Sequence, residues 1–139
     1  MDHDFSPDKY YLSIGSHEPV LTIESGDRVK TSTVDAGGKD SSGHIVSPRG
    51  NPQTGPFYVR GASEGDVLAI TLEKIWPNRP YGFCRPLIAA NVLEPGHQTN
   101  TGAIDYFYFV LDFESNTARI EHPSPALEGL VVPIRPMIG

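Results

Sequence analysis

Apolar and polar positions alternate with a period of two along much of this chain, the spacing that sends successive side chains to opposite faces of a β-strand. Residues 10–14 read as an opening strand, and in residues 19–23 Leu21 and Ile23 share a face. Residues 28–34 alternate again, with Val29, Thr31 and Thr33 on one side. The longest regular stretch is 66–76, with Leu68, Ile70 and Leu72 on one face and Val67, Ala69 and Thr71 on the other. Both faces are moderately apolar, which predicts a central strand. In residues 105–113, Phe107, Phe109, Leu111 and Phe113 oppose Tyr106, Tyr108 and Val110. Residues 117–120 read as the hairpin partner of that strand, across the turn-forming run Glu114-Ser115-Asn116. Residues 130–134 form a last strand that Pro133 assigns to an edge or a strand end, because proline has no N–H to give a ladder. No helical period persists beyond two turns, and residues 84–91 are the one short helix predicted.

Between these stretches the punctuation is chemical. Glu24-Ser25-Gly26-Asp27 and Ser63-Glu64-Gly65-Asp66 resemble each other, and in each Gly-Asp precedes a predicted strand. The expectation is a turn in which Gly supplies a positive φ and Asp bonds the turn's own backbone. Residues 36–56 and 77–101 carry no periodicity. Structureless loops longer than about 12–15 residues in a compact domain tend to be functional or disordered.

Composition agrees with a turn-rich β protein, since the 13 Pro and 14 Gly are spread along the whole chain. The predicted fold class is all-β, a jelly-roll-like β-sandwich with long irregular loops and little helix, forming a single domain over residues 1–139. A net charge of −6 with scattered basic residues excludes a nucleic-acid partner, whose phosphates need clustered Lys and Arg. No apolar run approaches the roughly 18 residues of a membrane span. The acidic start, Met1-Asp2-His3-Asp4, is unlike a secretory signal, and the single Cys84 excludes an internal disulfide framework. A cytoplasmic protein is expected.

Candidate chemistry falls in the first long loop. Counting by two from Val29 places Asp35 on the face of Thr31 and Thr33 at the end of that strand. There it is either a turn cap before Gly37-Gly38 or a carboxylate delivered to the rim of the core, where it needs a partner or a metal. Asp40 and His44 follow, and two carboxylates with one imidazole suit a divalent cation, although the spacing matches no defined metal motif. His44 also reads simply as a surface histidine. Asn51-Pro52-Gln53-Thr54-Gly55-Pro56 is a proline-stiffened polar turn. It either leads into a strand at Phe57 or presents amide and hydroxyl groups to a polar substrate. A nucleophile elbow, a phosphate loop and a copper-type Cys/His/Met set are all missing. Cys84 has no nearby His to act as its base and reads as a structural thiol.

Four stretches, in this order, resemble the acetamidase/formamidase family. They are Pro19-Val20-Leu21-Thr22-Ile23-Glu24-Ser25-Gly26-Asp27 with the following Thr33-Val34-Asp35-Ala36, then Gly50-Asn51-Pro52-Gln53-Thr54-Gly55-Pro56-Phe57-Tyr58-Val59-Arg60-Gly61-Ala62, then Gly65-Asp66-Val67-Leu68, and finally Val132-Pro133-Ile134-Arg135-Pro136-Met137-Ile138-Gly139. The resemblance implies hydrolysis of a short amide to carboxylate and ammonia by metal-activated water, which needs no Ser or Cys nucleophile. It implies the N-terminal part of a larger β plus α/β protein that forms homo-oligomers. Asp35 matches the family's acidic residue and is the expected metal ligand, with Asp40 and His44 beside it. Asn51, Thr54 and Gly55 match a site-shaping turn that meets the amide substrate. Zinc is the expected ion and calcium the second choice. Family chains continue past the final stretch for about as long again, into a His- and Gly-rich motif expected to supply further ligands. This chain alone is therefore expected to lack full amidase activity. The competing expectation is a β-sandwich binding or interaction module without catalysis. An unpaired half would also expose an apolar face and self-associate.

Overall fold

The computed structural model describes residues 1–85, 90–97 and 106–137. Among these the chain is all-β, with eight short strands and two single 3-10 turns, at Ala90–Val92 and Pro125–Leu127. No helix among the described residues is long and apolar enough to cross a membrane. The chain groups into two compact units, Met1–Glu73 and Lys74–Gly139.

The first unit is built on two parallel strand pairs. Strand β1 (Asp2–Phe5) pairs with β3 (Arg28–Thr31), and β2 (Leu21–Ile23) pairs with β4 (Phe57–Val59). Parallel neighbours need a long crossover between them, and residues 6–27 and 24–56 provide it. Flanking bonds extend both ladders: Arg28 N donates to Met1 O at 2.9 Å, Val20 N to Pro56 O at 2.9 Å and Arg60 N to Ile23 O at 2.8 Å. Phe5 of β1 meets Phe57 of β4 edge to face, with ring centroids 5.6 Å apart, so one aromatic contact links the two pairs.

The second unit is one open antiparallel sheet in the order β5 (Tyr81–Cys84), β6 (Phe107–Asp112), β7 (Thr117–Ile120), β8 (Val131–Pro133). The hairpin between β6 and β7 forms where the turn residues demand it. Asn116 takes the left-handed conformation at φ 52°, and Asp112 Oδ1 accepts from the N–H groups of Glu114 and Ser115 at 2.9 and 3.2 Å. Strand β8 lies at the sheet edge with Pro133 opposite Thr117, the edge position that the proline predicts. Ala118, on the inner strand β7, is buried.

Several predicted elements take other forms. Residues 10–14 make a single bridge, Tyr11 to Gln53, instead of a strand, and the opening strand is the more polar Asp2–Phe5. Strand β3 ends at Thr31, so Asp35 sits in the loop beyond it and not at a strand tip. Cys84 belongs to β5; of the predicted helix, residues 86–89 lie outside the described residues and Ala90–Val92 is a 3-10 turn. The largest correction is 66–76, which forms no strand and is exposed along nearly its whole length. Alternation prepares side chains for a sheet, but a strand exists only where a neighbour takes up its backbone N–H and C=O groups.

Candidate functional site

Past β3 the chain folds into two consecutive loops of the same design. Asp35-Ala36-Gly37-Gly38-Lys39 and Asp40-Ser41-Ser42-Gly43-His44 both read Asp-x-x-Gly-x. In the first, Asp35 Oδ1 accepts from Gly37 N at 2.8 Å and Lys39 N at 3.0 Å. In the second, Asp40 Oδ1 accepts from Ser42 N and His44 N, both at 2.9 Å. Each Asp N–H also bonds the carbonyl four residues on, at 3.0 Å in both loops. The fourth residue is glycine in each because the backbone there is left-handed, at φ 81° for Gly38 and 82° for Gly43. Asp suits the first position because a short side-chain oxygen can reach two amides of its own turn. The Asp-x-x-Gly repeat was the available sequence signal for this pair of loops.

The first loop is clamped against the proline-stiffened turn. Gly50 N and Asn51 N both donate to Ala36 O, at 3.2 and 3.4 Å. Thr54 Oγ1 donates to Ser32 O at 3.0 Å. Asp35 therefore lies in sequence between two residues, Ser32 and Ala36, that are each tied to the turn, and its side chain is half-buried. Val46 N and Ser47 N close on Gly38 O from the other side. A Cβ on Gly38 would stand 2.0 Å from Ser47 O, so only glycine permits this approach. Ser47 is itself buried.

A third segment joins the cluster. Tyr11 N donates to Gln53 O at 3.2 Å and Gln53 N returns to Tyr11 O at 2.8 Å, and the Leu12 side chain lies about 3.6 Å from where a Cβ on Gly50 would be. Burial, and then the negative charges of Asp40 and Asp8, raise the Tyr10 phenol above its ordinary range. The sequence pattern assigned Tyr10 and Tyr11 to a strand and offered no sign that Tyr11 bridges the turn at Gln53 or that the charge of Asp40 acts on the Tyr10 phenol.

The expected site residues thus divide. Asp35, Asn51, Thr54 and Gly55 belong to one clamped cluster, with Asn51 at φ 58° and Gly55 at φ 114°. Asp40 is the neighbouring half-buried loop anchor, and His44 closes that loop through its backbone while its side chain is exposed. Among the described residues no three His, Cys, Asp or Glu side chains gather as a cation-holding group. One oxygen of each of Asp35 and Asp40 is already held by two amide N–H groups of its own turn. Asp35, Asp40 and His44 do not assemble a complete ligand set by themselves. No family model, curated protein or solved structure matches this chain.

A separate charged cluster sits at the first Gly-Asp turn. Asp27 Oδ2 accepts from Glu24 N at 2.9 Å and from the His3 ring at 2.9 Å, and Asp27 Oδ1 meets the Met1 amino group. The amino group first, then the Glu24 amide and His3, hold this carboxyl well below the usual carboxylate range. Asp66 Oδ2 makes the matching bond to Ser63 N at 2.8 Å, with Gly26 and Gly65 at φ 88° and 94°. Both Gly-Asp segments are turns of the expected kind.

Proposed function

We propose that this chain contributes one wall of the active site of a metal-dependent amidase that hydrolyses short amides such as formamide and acetamide. The observation that supports it best is the double tether, Ser32 to Thr54 and Ala36 to Gly50 and Asn51, which packs the Asp35 loop on the polar turn. Asp35 is the principal metal ligand in this reading, with Asp40 and His44 at its margin, and zinc or, second, calcium as the ion. Asn51, Thr54 and Gly55 shape the pocket for the amide. A bound divalent ion would supply the activated water of the reaction. The residues of this chain hold the carboxylate in place and set the turn that faces the substrate. Further ligands come from outside this residue set. The working protein is a cytoplasmic homo-oligomer.

Ammonia release from formamide and acetamide, with and without added Zn²⁺ or Ca²⁺, tests the reading together with calorimetric metal titration. Weak metal binding that disappears in Asp35→Ala is expected, with little turnover by this chain alone. Metal binding of equal strength in the Asp35→Ala variant would remove the proposal. Efficient turnover by the 139-residue chain would remove its requirement for further ligands. The exposed apolar stretch 66–76 favours a second reading, a β-rich interaction module without catalysis. Absence of any metal binding by the unaltered chain selects that reading.

A further inference from the structure

Residues 66–74 have the composition of a central strand and the surroundings of none. Val67 is 95% exposed and Ile70 78% exposed, and Leu68 and Leu72 are exposed as well. No strand is assigned here, so the backbone offers an unused ladder, which is what recruits another strand by edge addition. The segment is also anchored, since Glu73 Oε1 accepts from Arg28 Nε of β3 at 3.0 Å and Asp66 closes the turn at Ser63.

The order of its residues selects the partner. Written antiparallel to itself with Ile70 opposite Ile70, Asp-Val-Leu-Ala-Ile-Thr-Leu-Glu-Lys sets Leu68 against Leu72 and Asp66 against Lys74, each pair occurring twice. All of these even-numbered residues share one face. Ala69 against Thr71 and Val67 against Glu73 fall on the other face. Shifting the register by two sets Asp66 against Leu72, or Lys74 against Leu68. A shift by one exchanges the faces. Parallel pairing in register opposes Asp66 to Asp66 and Lys74 to Lys74, like charges that weaken a ladder. A single register satisfies both the apolar and the charged positions, and it is two-fold symmetric, as an isologous dimer requires.

We propose that residues 66–74 are a dimerisation strand, pairing antiparallel with the same segment of a second copy of this chain about Ile70. This rests on the exposure and self-complementarity of the segment, and it names a surface for the self-association that the amidase reading also carries, while the metal titration tests that reading separately.

Charge exchange tests it on the full chain by sedimentation equilibrium over a wide concentration range. The unaltered chain is expected to be a reversible dimer. Asp66→Lys alone or Lys74→Asp alone turns two attractive pairs into two repulsive ones and is expected to raise the dimer Kd about tenfold. The double variant Asp66→Lys/Lys74→Asp is expected to return the Kd to within about threefold of the original. Asp66→Lys also removes the bond to Ser63, and Lys74→Asp removes the ammonium 3.7 Å above the Trp76 ring. Both losses persist in the double variant, so recovery can come only from the restored pairing. A chain monomeric at every concentration overturns the proposal and leaves this segment to a strand of a different polypeptide. A dimer indifferent to the single changes, or not restored by the double one, also overturns it.

Discussion

Single residues in this chain act mostly by closing turns. Asp27, Asp35, Asp40, Asp66 and Asp112 each bind backbone amides of their own loop. A glycine at positive φ completes four of these turns, at Gly26, Gly38, Gly43 and Gly65. Gly38 is the most constrained, because it combines a left-handed backbone with the closest approach to a neighbouring carbonyl. Gly38→Ala is expected to lower stability by about 2–4 kcal/mol, through backbone strain and displacement of Ser47. Chemical denaturation would show it as a lower midpoint with an unchanged slope. Asp27 makes stability depend on pH. Its folded pKa lies below the ordinary 3.8, so its stabilising effect is complete above that value and is lost as pH falls through the folded pKa. Asp27→Asn is therefore expected to melt at a lower temperature than the unaltered chain at neutral pH. The gap should narrow only in strongly acid solution; an equal gap at pH 7 and at pH 2 would contradict the ionic origin.

At the scale of elements, pattern succeeded where the partner is close in sequence. The β6–β7 hairpin and the edge strand β8 follow from alternation, a turn-forming run and one proline. Asn116, at φ 52°, is the left-handed residue of that hairpin. Asn116→Val is expected to cost about 1–2 kcal/mol and Asn116→Gly close to nothing, since only the first must force a branched side chain into that region. Equal melting temperatures for the two variants would show that the hairpin does not depend on this residue. Pattern failed where the partner is remote. Strand β1 pairs in parallel with β3, and its sequence, Asp-His-Asp-Phe, carries no apolar alternation. Its role is decided by the Asp27 cluster and the Phe5–Phe57 contact, which no local window contains.

Large apolar side chains stand exposed among the described residues of the whole molecule, including Val67, Ile70, Trp76 and Ile45, and the first two lie on one continuous segment. A dye that fluoresces on apolar surface is expected to bind the dilute chain at neutral pH, and to bind less per chain as concentration rises. Fluorescence per chain that is constant with concentration would mean that association leaves this surface open.

What the sequence determined by itself is local: the all-β class, the Gly-Asp turns, the hairpin and the edge strand, because each depends on residues within one turn of chain. Motif order also offered Asp35, Asp40 and His44 as metal ligands and Asn51, Thr54 and Gly55 as a substrate-facing turn, expectations that the metal titration tests. Only the tertiary structure decided that Ser32 and Ala36 tie the Asp35 loop to the turn of Asn51 and Thr54, that Tyr11 bridges Gln53, and that 66–76 is an open segment and not a central strand. The physical reason is the same in each case. A side-chain pattern is a property of one segment, whereas a ladder or a clamp needs a second set of donors and acceptors whose position is set by the rest of the fold.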